Sequence, residues 1–598
     1  KTIPIWLASF LAFKLDLLGG EYITSSHGIS VKNATKDLNC QGSQYLPEES
    51  MEFVNKIQEI FNKTEKDGTY EIKIAATDNP LIDEKVLANI DDGVDLYVEY
   101  LKSGVAQKIN LDLIKEIKDK IVIESVGGSA YRTLSRVLKK LDISDKFTWF
   151  DTEEDSFFHS IGKYDHTPKG EKAFYDYSVD ATVVAKKRSG EKFFPVIETM
   201  HYDERLTKLP VGTAVLITDP DHDRLTVTQT EKADKISELE KAGIDYVRLN
   251  NDLILTVFTA NQAFLMLMDF WSKQLKSQNL WNNHPRFMIK TTASAISWDE
   301  WAKKQGIKVV NVPVGFKEIA NIMKKVELKL KNNPEKEVII DDVLGNSINL
   351  GVNPRLVFAG EESGGMIMGT EELIKSQNGR FAIAMREKSA TEAIIVASAL
   401  IAKLQKEQTP LSKYLVQIFE ENNIIGRFDT RVDIAYYNES EPDINKLKKE
   451  KVLGEAKRTK NDLFYLSMAM GVKKGIMTLG DVKEVLNDSF KSLIFDNLVS
   501  IKFVGDGTYL EFTDKYIEIR PSGTDAKTKA YGGGSDKAIL ETYANIMGNY
   551  SGDRTELHKK FISDKFYNST KDEAMKYYLE FVDKDANNEP FEIPEYNF

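Results

Sequence analysis

The 598-residue chain holds a single cysteine, Cys40, and only seven histidines. One cysteine excludes an intramolecular disulfide framework and any cysteine-rich zinc site, and it points to a reducing compartment such as the cytoplasm. Proline is scarce, at 16 residues, and 42% of the residues are hydrophobic, which together exclude a disordered or fibrous chain. Positive charge is also in deficit: 80 Lys and Arg against 92 Asp and Glu give a net charge of −12. Phosphate backbones and anionic membranes require dense positive surface, so nucleic acid and membrane are not expected as partners, while local basic pockets for small anions stay open. The stretch Ile3–Phe13, behind Lys1, has the look of a secretory apolar region. Lys14 and Asp16 interrupt it well short of the ~20 apolar residues of a membrane span. It reads instead as an amphipathic or buried helix ended at Gly19-Gly20.

At ~150 residues per domain, the length suggests about four domains. Aliphatic and β-branched segments repeatedly run into glycine-bearing loops and then into helical patterns, as in α/β layering. Ile121–Ser125 leads through Gly127-Gly128 into a helical run over Tyr131–Leu141. Ala214–Thr218 runs into Asp219–Arg224, Val309–Val312 into Pro313–Lys317, and Leu356–Ala359 into Gly360–Gly365. Loops at the carboxyl ends of parallel strands are where α/β proteins bind ligands, so these loops are expected to share one site. Charged stretches at 151–172, 230–243 and 439–460 read as solvated insertions or linkers. Beyond Ile425 the pattern changes to a smaller α+β unit: strand Tyr516–Ile519, loop Arg520–Asp525, strand Lys527–Tyr531, then a helix from Ser535-Asp536 to Met547. The segment 553–598 is acidic and aromatic, helical in part, and carries no chemistry that can be read.

Four strings carry chemistry. In Asp219-x-Asp221-x-Asp223-Arg224, three alternating carboxylates can turn toward one hard cation, and the arginine can bind a phosphate beside it. A calcium-hand loop opens the same way but requires glycine and glutamate where Arg224 and Thr230 stand. Arg520-Pro-Ser-Gly-Thr524 combines a guanidinium, two hydroxyls and glycine-turn amides into an oxyanion cradle. Gly360-Glu-Glu-Ser-Gly-Gly365 offers carboxylates suited to neighbouring sugar hydroxyls. Ile23-Thr-Ser-Ser-His27, with Asn33 and Lys36 beyond it, delivers hydroxyls to a loop, and a serine there needs a metal or positive charge to become a nucleophile.

In this order the four strings resemble the α-D-phosphohexomutase family, which includes phosphoglucomutases and phosphomannomutases. The resemblance covers about Gly19 to Gly534. Val314-Gly-Phe-Lys317 is similar to the family's loop with a sugar-phosphate lysine. The Asp-Pro-Asp-x-Asp-Arg string and Lys529 resemble the glucose-directed type-two phosphoglucomutase branch. Gly28-Ile29 replaces the family's Asn-Pro and Ala34 replaces a glycine, which leaves Ser25 as a competing nucleophile. The family also has a strand and an arginine-bearing loop before the serine segment, so the chain is expected to be a piece of a longer one.

The resemblance implies an α/β fold of four domains around a central cleft, three α/β domains with mixed sheets and a last α+β domain. The expected divisions are 1–118 with the serine loop, 119–285 with the metal loop, 286–425 with the sugar loop, 426–552 with the phosphate loop, and the tail 553–598. It implies interconversion of hexose 1-phosphate and hexose 6-phosphate, glucose favoured and mannose open, through a phosphoserine and a bisphosphorylated sugar. Ser26, Lys36, His27 and Arg224 would be catalytic, with Lys36 as general acid/base at a pKa lowered by cationic surroundings and His27 in support. Ser26, Asp219, Asp221 and Asp223 would hold Mg2+. Lys317, Glu361, Ser363, Arg520, Ser522, Gly523, Thr524 and Lys529 would bind substrate, and glucose 1,6-bisphosphate would serve as activator and intermediate. Sugar phosphates are the expected partners of a monomer or homodimer. The alternative is a non-catalytic sugar-phosphate binder with a defective serine loop.

Overall fold

The computed structural model describes residues 2–26, 28, 34–67, 90–165, 174–176, 179–186, 192–437, 441, 443–522 and 526–583. Helix α1 (Ile5–Lys14) is buried, not amphipathic: Ile5, Trp6, Leu7 and Phe10 are all sealed from solvent. Gly19-Gly20 does not end it. That pair opens strand β1 (Gly19–Ile23), which pairs antiparallel with β2 (Thr35–Asn39) and sets Tyr22 opposite Lys36. Ser26 therefore stands just beyond β1, and Lys36 stands within β2. Helices α2 (Pro47–Asp67) and α3 (Ile90–Ser103) follow.

The next unit is a six-stranded mixed sheet. Its strands are β3 (Ile121–Glu124), β4 (Phe147–Phe150), β5 (Ala214–Thr218), β6 (Leu225–Lys232), β7 (Asp245–Arg248) and β8 (Leu253–Val257), in the order β7-β8-β6-β5-β3-β4. Strand β3 runs parallel to β4 and β5, with helix α4 (Ala130–Lys140) following it, and the remaining pairs are antiparallel. The expected insertion at 230–243 is instead the end of β6 and a short helix, Ile236–Ala242.

Helix α5 (Ala260–Ser277) leads into a second mixed sheet of β9 (Arg286–Thr291), β10 (Lys308–Val312), β11 (Arg355–Gly360) and β12 (Met366–Met368), ordered β10-β9-β11-β12. Strands β10 and β11 lie parallel to β9, and β12 is antiparallel to β11. Helices α6 (Ile296–Gln305), α7 (Phe316–Asn332) and α8 (Ala390–Glu407) complete this layer. A large apolar core runs from Trp6 through Phe264 and Trp298 to Ile424, and a second cluster, with Val122, Val215, Ile217 and Leu255, lies on the six-stranded sheet.

The last sheet is antiparallel throughout and has a core of its own. Its strands are β13 (Phe428–Ala435), β14 (Leu498–Phe503), β15 (Thr508–Phe512), β16 (Lys515–Pro521) and β17 (Lys527–Gly534), ordered β13-β17-β16-β15-β14. Helix α9 (Ile444–Lys473) occupies most of the stretch expected to be a solvated linker, and the Asp443 carboxylate caps it by accepting from the amides of Asn445 and Lys446. Helix α10 (Lys537–Gly548) is capped by Asp536, as its sequence predicts, and α11 (Asp564–Asp583) packs along α9. The last sheet meets the rest of the chain where Tyr516 and Tyr531 pack with Ala293, and the Tyr516 hydroxyl donates to the Ala293 carbonyl at 2.7 Å. Among the described residues no helix is long and apolar enough to cross a membrane.

Candidate active site

The acidic loop is a tight turn between β5 and β6. Both strands are buried, and Thr218 pairs with Leu225 at the base of the turn. Asp219 folds the turn onto itself by accepting from the amides of Asp223 and Arg224, each at 3.0 Å. Asp219, Asp221 and Asp223 then present ligand oxygens within 4.8 Å of one another. One oxygen of each, Asp219 Oδ2, Asp221 Oδ1 and Asp223 Oδ1, is buried with no hydrogen-bond partner. Arg224 Nε lies 3.7 Å from Asp219 Oδ2 and 3.6 Å from Asp223 Oδ1, and three buried carboxylates set this close are the donor type a hard divalent cation such as magnesium takes. Burial and the Asp223 and Asp221 charges hold the Asp219 carboxyl far above the usual carboxylate range. Burial alone would do the same to Asp223, but Lys36, Lys388 and Arg224 keep it well below.

The rest of the chain converges on this turn. Gly128, after β3, backs it so closely that a Cβ there would stand 2.4 Å from the Pro220 carbonyl oxygen, and the Ser129 amide donates to that oxygen at 2.8 Å. The Thr24 hydroxyl donates to Asp221 Oδ2 at 3.1 Å, and the Ser26 amide donates to Thr24 Oγ1 at 2.8 Å. Ser26, with φ of 57°, is thus tied to the acidic turn through one intervening side chain. The amide of Ile5, at the start of α1, donates to the Asp221 carbonyl at 3.3 Å.

Lys36 reaches the same oxygens, with Nζ 2.8 Å from Asp221 Oδ2 and 2.6 Å from Asp223 Oδ2. The expectation of a lowered lysine pKa is overturned here. Burial does oppose the charge, but Asp221, Asp223 and Glu387 outweigh it and hold the ammonium well above the ordinary lysine value. Its surroundings are anionic, not cationic, and hold the proton on the Lys36 ammonium.

The sugar-type loop is a turn between β11 and β12, joined to the acidic turn by the amide of Leu225 on the Gly364 carbonyl at 3.1 Å and by a bridge between Arg224 and Gly365. Glu361 Oε1 accepts from Ser363 Oγ at 2.7 Å and from Lys388 Nζ at 3.0 Å. Against its burial, Lys388 and Arg224 hold the Glu361 carboxyl below its ordinary value. Gly365 permits this approach, since a Cβ there would stand 2.3 Å from Lys388 Cδ. The neighbouring acid points elsewhere: Glu362 Oε2 accepts from the Thr291 hydroxyl at 3.1 Å.

In the last sheet, Arg520 on β16 forks onto Asp506, with Nε 3.1 Å from Oδ2 and a second contact through its terminal nitrogen. Lys529 lies directly opposite Arg520 in the β16–β17 register. Burial and the Arg431 and Arg520 charges push the Lys529 pKa down to about 8. The Ser522 amide donates to the Lys527 carbonyl, and the Ser522 carbonyl accepts from Arg458, so the loop entrance is held from both sides. Lys317 stands in the first turn of α7, next to Phe316. The Lys388 ammonium lies 5.6 Å over the ring of Phe316 on one side, and Val314 packs against Tyr516 and Tyr531 on the other. Gly523, Thr524, His27 and Asn33 lie outside the described residues.

The structure therefore brings Ser26, Lys36, the three aspartates, Arg224, Glu361 and Ser363 into one cluster and Arg520, Ser522 and Lys529 into a second. Sequence reading missed Lys388, which bridges Glu361 to Asp223 at 3.0 and 3.5 Å, and Arg431 beside Lys529. A lysine directly before the Ser389 cap of α8 was the one local signal for Lys388. For Arg431 no local signal existed.

Residues 261–421 match the model of phosphoglucomutase/phosphomannomutase, alpha/beta/alpha domain III. A phosphoglucomutase of Staphylococcus saprophyticus is 23% identical over 549 residues, which cover 91% of this chain and 78% of that protein. A solved structure from Thermus thermophilus, described as a phosphomannomutase, shares the fold at a TM-score of 0.50 and 14% identity, over 91% of this chain and 80% of that one. N-acetylphosphoglucosamine mutase of Aspergillus fumigatus, in complex with GlcNAc-6P and magnesium, aligns over 92% of this chain and 93% of its own at 11% identity and a TM-score of 0.44. The match over residues 261–421 and the relative that aligns with 91% of the chain show that this chain is similar to the phosphoglucomutases and phosphomannomutases.

Proposed function

We propose that the protein is an intramolecular phosphotransferase that interconverts hexose 1-phosphate and hexose 6-phosphate, glucose before mannose, through phospho-Ser26 and a bisphosphorylated sugar. The observation that carries this reading is the cluster of Asp219, Asp221 and Asp223 beside the Thr24–Ser26 loop, with Arg224 joined to the sugar-type loop. The chain would divide near residues 118, 285, 425 and 552, so that each domain contributes one loop to the cleft.

Asp219, Asp221 and Asp223, together with the phosphorylated serine, would hold Mg2+, which when bound supplies charge neutralisation to the transferring phosphoryl group. In the transfer the Ser26 Oγ–P bond breaks, a sugar hydroxyl oxygen bonds to phosphorus, and the hydroxyl proton ends, in net terms, on Ser26 Oγ. Lys36, charged and beside that phosphoryl group, would serve as the general acid/base expected from sequence. Arg224 binds an equatorial phosphoryl oxygen. Glu361 and Ser363 grip the hydroxyls common to both orientations of the intermediate. Arg520, Ser522, Gly523, Thr524, Lys529 and Lys317 hold whichever phosphate is far from the acidic turn. His27 orients the serine loop.

The test is conversion of glucose 1-phosphate to glucose 6-phosphate with Mg2+ and a trace of glucose 1,6-bisphosphate, followed by phosphopeptide mapping. One phosphoryl group on Ser26 is expected. Phosphate on Ser25, or no conversion with either glucose or mannose phosphates, would refute the reading.

A further inference from the structure

Helix α11 lies outside every motif read from the sequence, yet it spans the two units that carry the phosphate-binding residues. Over most of its length it rests on α9: Glu573 pairs with Lys474, Ala574 is buried against Leu466 and Met470, and the Lys473 ammonium sits 4.4 Å over the Tyr577 ring. Its last turns reach away from α9 to α7. Lys325 of α7 donates to the Phe581 carbonyl at 2.6 Å and lies 4.8 Å from that residue's ring centroid.

One side chain of α11 meets both phosphate-binding supports. Tyr578 donates its hydroxyl to Glu318, the residue after Lys317, and the other Glu318 oxygen is buried with no hydrogen-bond partner. The Tyr578 ring also lies 3.7 Å from where a Cβ of Gly505 would stand, in the β14–β15 turn whose next residue, Asp506, grips Arg520. That turn packs on Pro313 so closely that the same Cβ would meet the proline ring at 2.6 Å, and Pro313 opens the loop that ends at Lys317. A helix built on the last unit thus holds the first turn of α7 and the support of Arg520 in one place.

We propose that Tyr578 is a positioning residue, and that α11 is a strap which fixes the separation of Lys317 and Arg520 and so sets how tightly the cleft holds the phosphate remote from the acidic turn. This rests on the phosphohexomutase reading above. Its ties run to Glu318, Lys325 and the Gly505 turn, so it acts on binding of the sugar phosphate and leaves the rate of phosphoryl transfer in the filled site largely alone.

The test is Tyr578→Phe in the full chain, read by hydrogen exchange and by calorimetric titration with glucose 6-phosphate. Amides of 503–507 and 315–318 should exchange faster while the six-stranded sheet is unaffected. The Kd and KM for the sugar phosphate should rise roughly three- to tenfold, the scale of one lost hydrogen bond, with kcat within about twofold. Lys325→Met, which cuts the other tie without touching Glu318, should move the same amides and guards against a Tyr578 variant that folds poorly. Unchanged exchange at both segments overturns the strap, whatever the activity. Exchange raised evenly over the whole chain overturns positioning in favour of plain packing. If the two segments loosen as expected but the parent chain binds no glucose 6-phosphate, the mechanical coupling holds and it is the phosphohexomutase reading, with the phosphate half of this proposal, that falls.

Discussion

The ammonium of Lys36 lies 2.6 Å from Asp223 Oδ2, although the two residues stand 187 positions apart in the chain. The same ammonium reaches Asp221 at 2.8 Å, so two of the three carboxylates that face the orphaned pocket are already shared with a resident cation. An arriving divalent ion meets a site whose negative charge is partly compensated, and its affinity is set by that competition as well as by ligand geometry.

Lys36→Met should therefore tighten Mg2+ or Mn2+ binding, by roughly tenfold for each ~1.4 kcal/mol of relief, while lowering turnover. Without metal the variant keeps like charges buried together and should melt below the parent. Added Mg2+ should restore its melting temperature by mass action. Titration calorimetry in metal-stripped protein checks this, and a variant that binds Mg2+ more weakly than the parent would show that Lys36 supports the metal site instead of competing for it.

Gly128 makes a second, purely steric prediction. A Cβ at this position would stand 2.4 Å from the Pro220 carbonyl oxygen and 2.5 Å from its Cα, both backbone atoms that cannot swing aside. Gly128→Ala should push the acidic turn off its support, with a stability loss of about 1–3 kcal/mol as for overpacked cores. Metal affinity should fall alongside. Thermal unfolding with and without Mg2+ measures both, and a variant with parental metal affinity would mean that the turn does not depend on β3 for its shape.

The four loops were legible in the sequence because each is a local string whose chemistry is complete within six residues or so. What the sequence could not carry was the field each string would meet. Arginines and lysines recur in the motifs and point to a cationic setting for Lys36, but Asp221, Asp223 and Glu387 surround it instead. Lys388 and Arg431 were missed for the same reason: nothing within a few residues of either announces a partner that the fold supplies from another element. The long helix α9 hid behind composition. Its first half is charged and exposed, and the apolar residues that anchor it, Phe464 to Met470, come only in its second half. The α/β layering was readable because strand and loop alternate regularly there. By contrast, the turn between β5 and β6 has the sequence of a parallel strand's end and proves to be both that and an antiparallel hairpin.

Lys529 predicts a pH dependence. Its pKa is lowered to about 8, against an ordinary lysine value of 10.5, by burial and by Arg431 and Arg520. Between about pH 8 and 10.5 the unfolded chain binds this proton and the folded protein does not, so this group makes stability rise with pH across that window. Ligand affinity should run the other way. A phosphate dianion is held best by the charged lysine, so Kd for glucose 6-phosphate should rise above about pH 8, and binding just above that pH should take up protons. Calorimetry in buffers of different ionisation enthalpy detects that uptake. Lys529→Arg, which stays charged, should shift the alkaline limb upward, and an unshifted limb would assign it to another group.

Arg520 and Asp506 make the last prediction, because the guanidinium that should hold the remote phosphate is already committed to a carboxylate. A phosphate entering this corner must share the fork with Asp506 or draw it away. Arg520→Ala removes a charge-assisted contact worth ~1.5–3 kcal/mol, so kcat/KM should drop roughly tenfold to hundredfold, at a factor of ten per ~1.36 kcal/mol. Asp506→Asn should do the opposite to binding: it frees the fork and removes a negative charge, so glucose 6-phosphate should bind more tightly than in the parent. The intermediate separates this from a simple loss of substrate contact. A bisphosphorylated sugar must be retained while it reorients, with one phosphate always remote from the acidic turn, so Arg520→Ala should release more glucose 1,6-bisphosphate per turnover and depend more on added activator. Asp506→Asn should release less and turn over more slowly if product leaves by the same grip. Equal activator dependence in the parent and Arg520→Ala would remove Arg520 from the path of the intermediate, and weaker binding in Asp506→Asn would show that the carboxylate orients the fork for phosphate and does not withhold it.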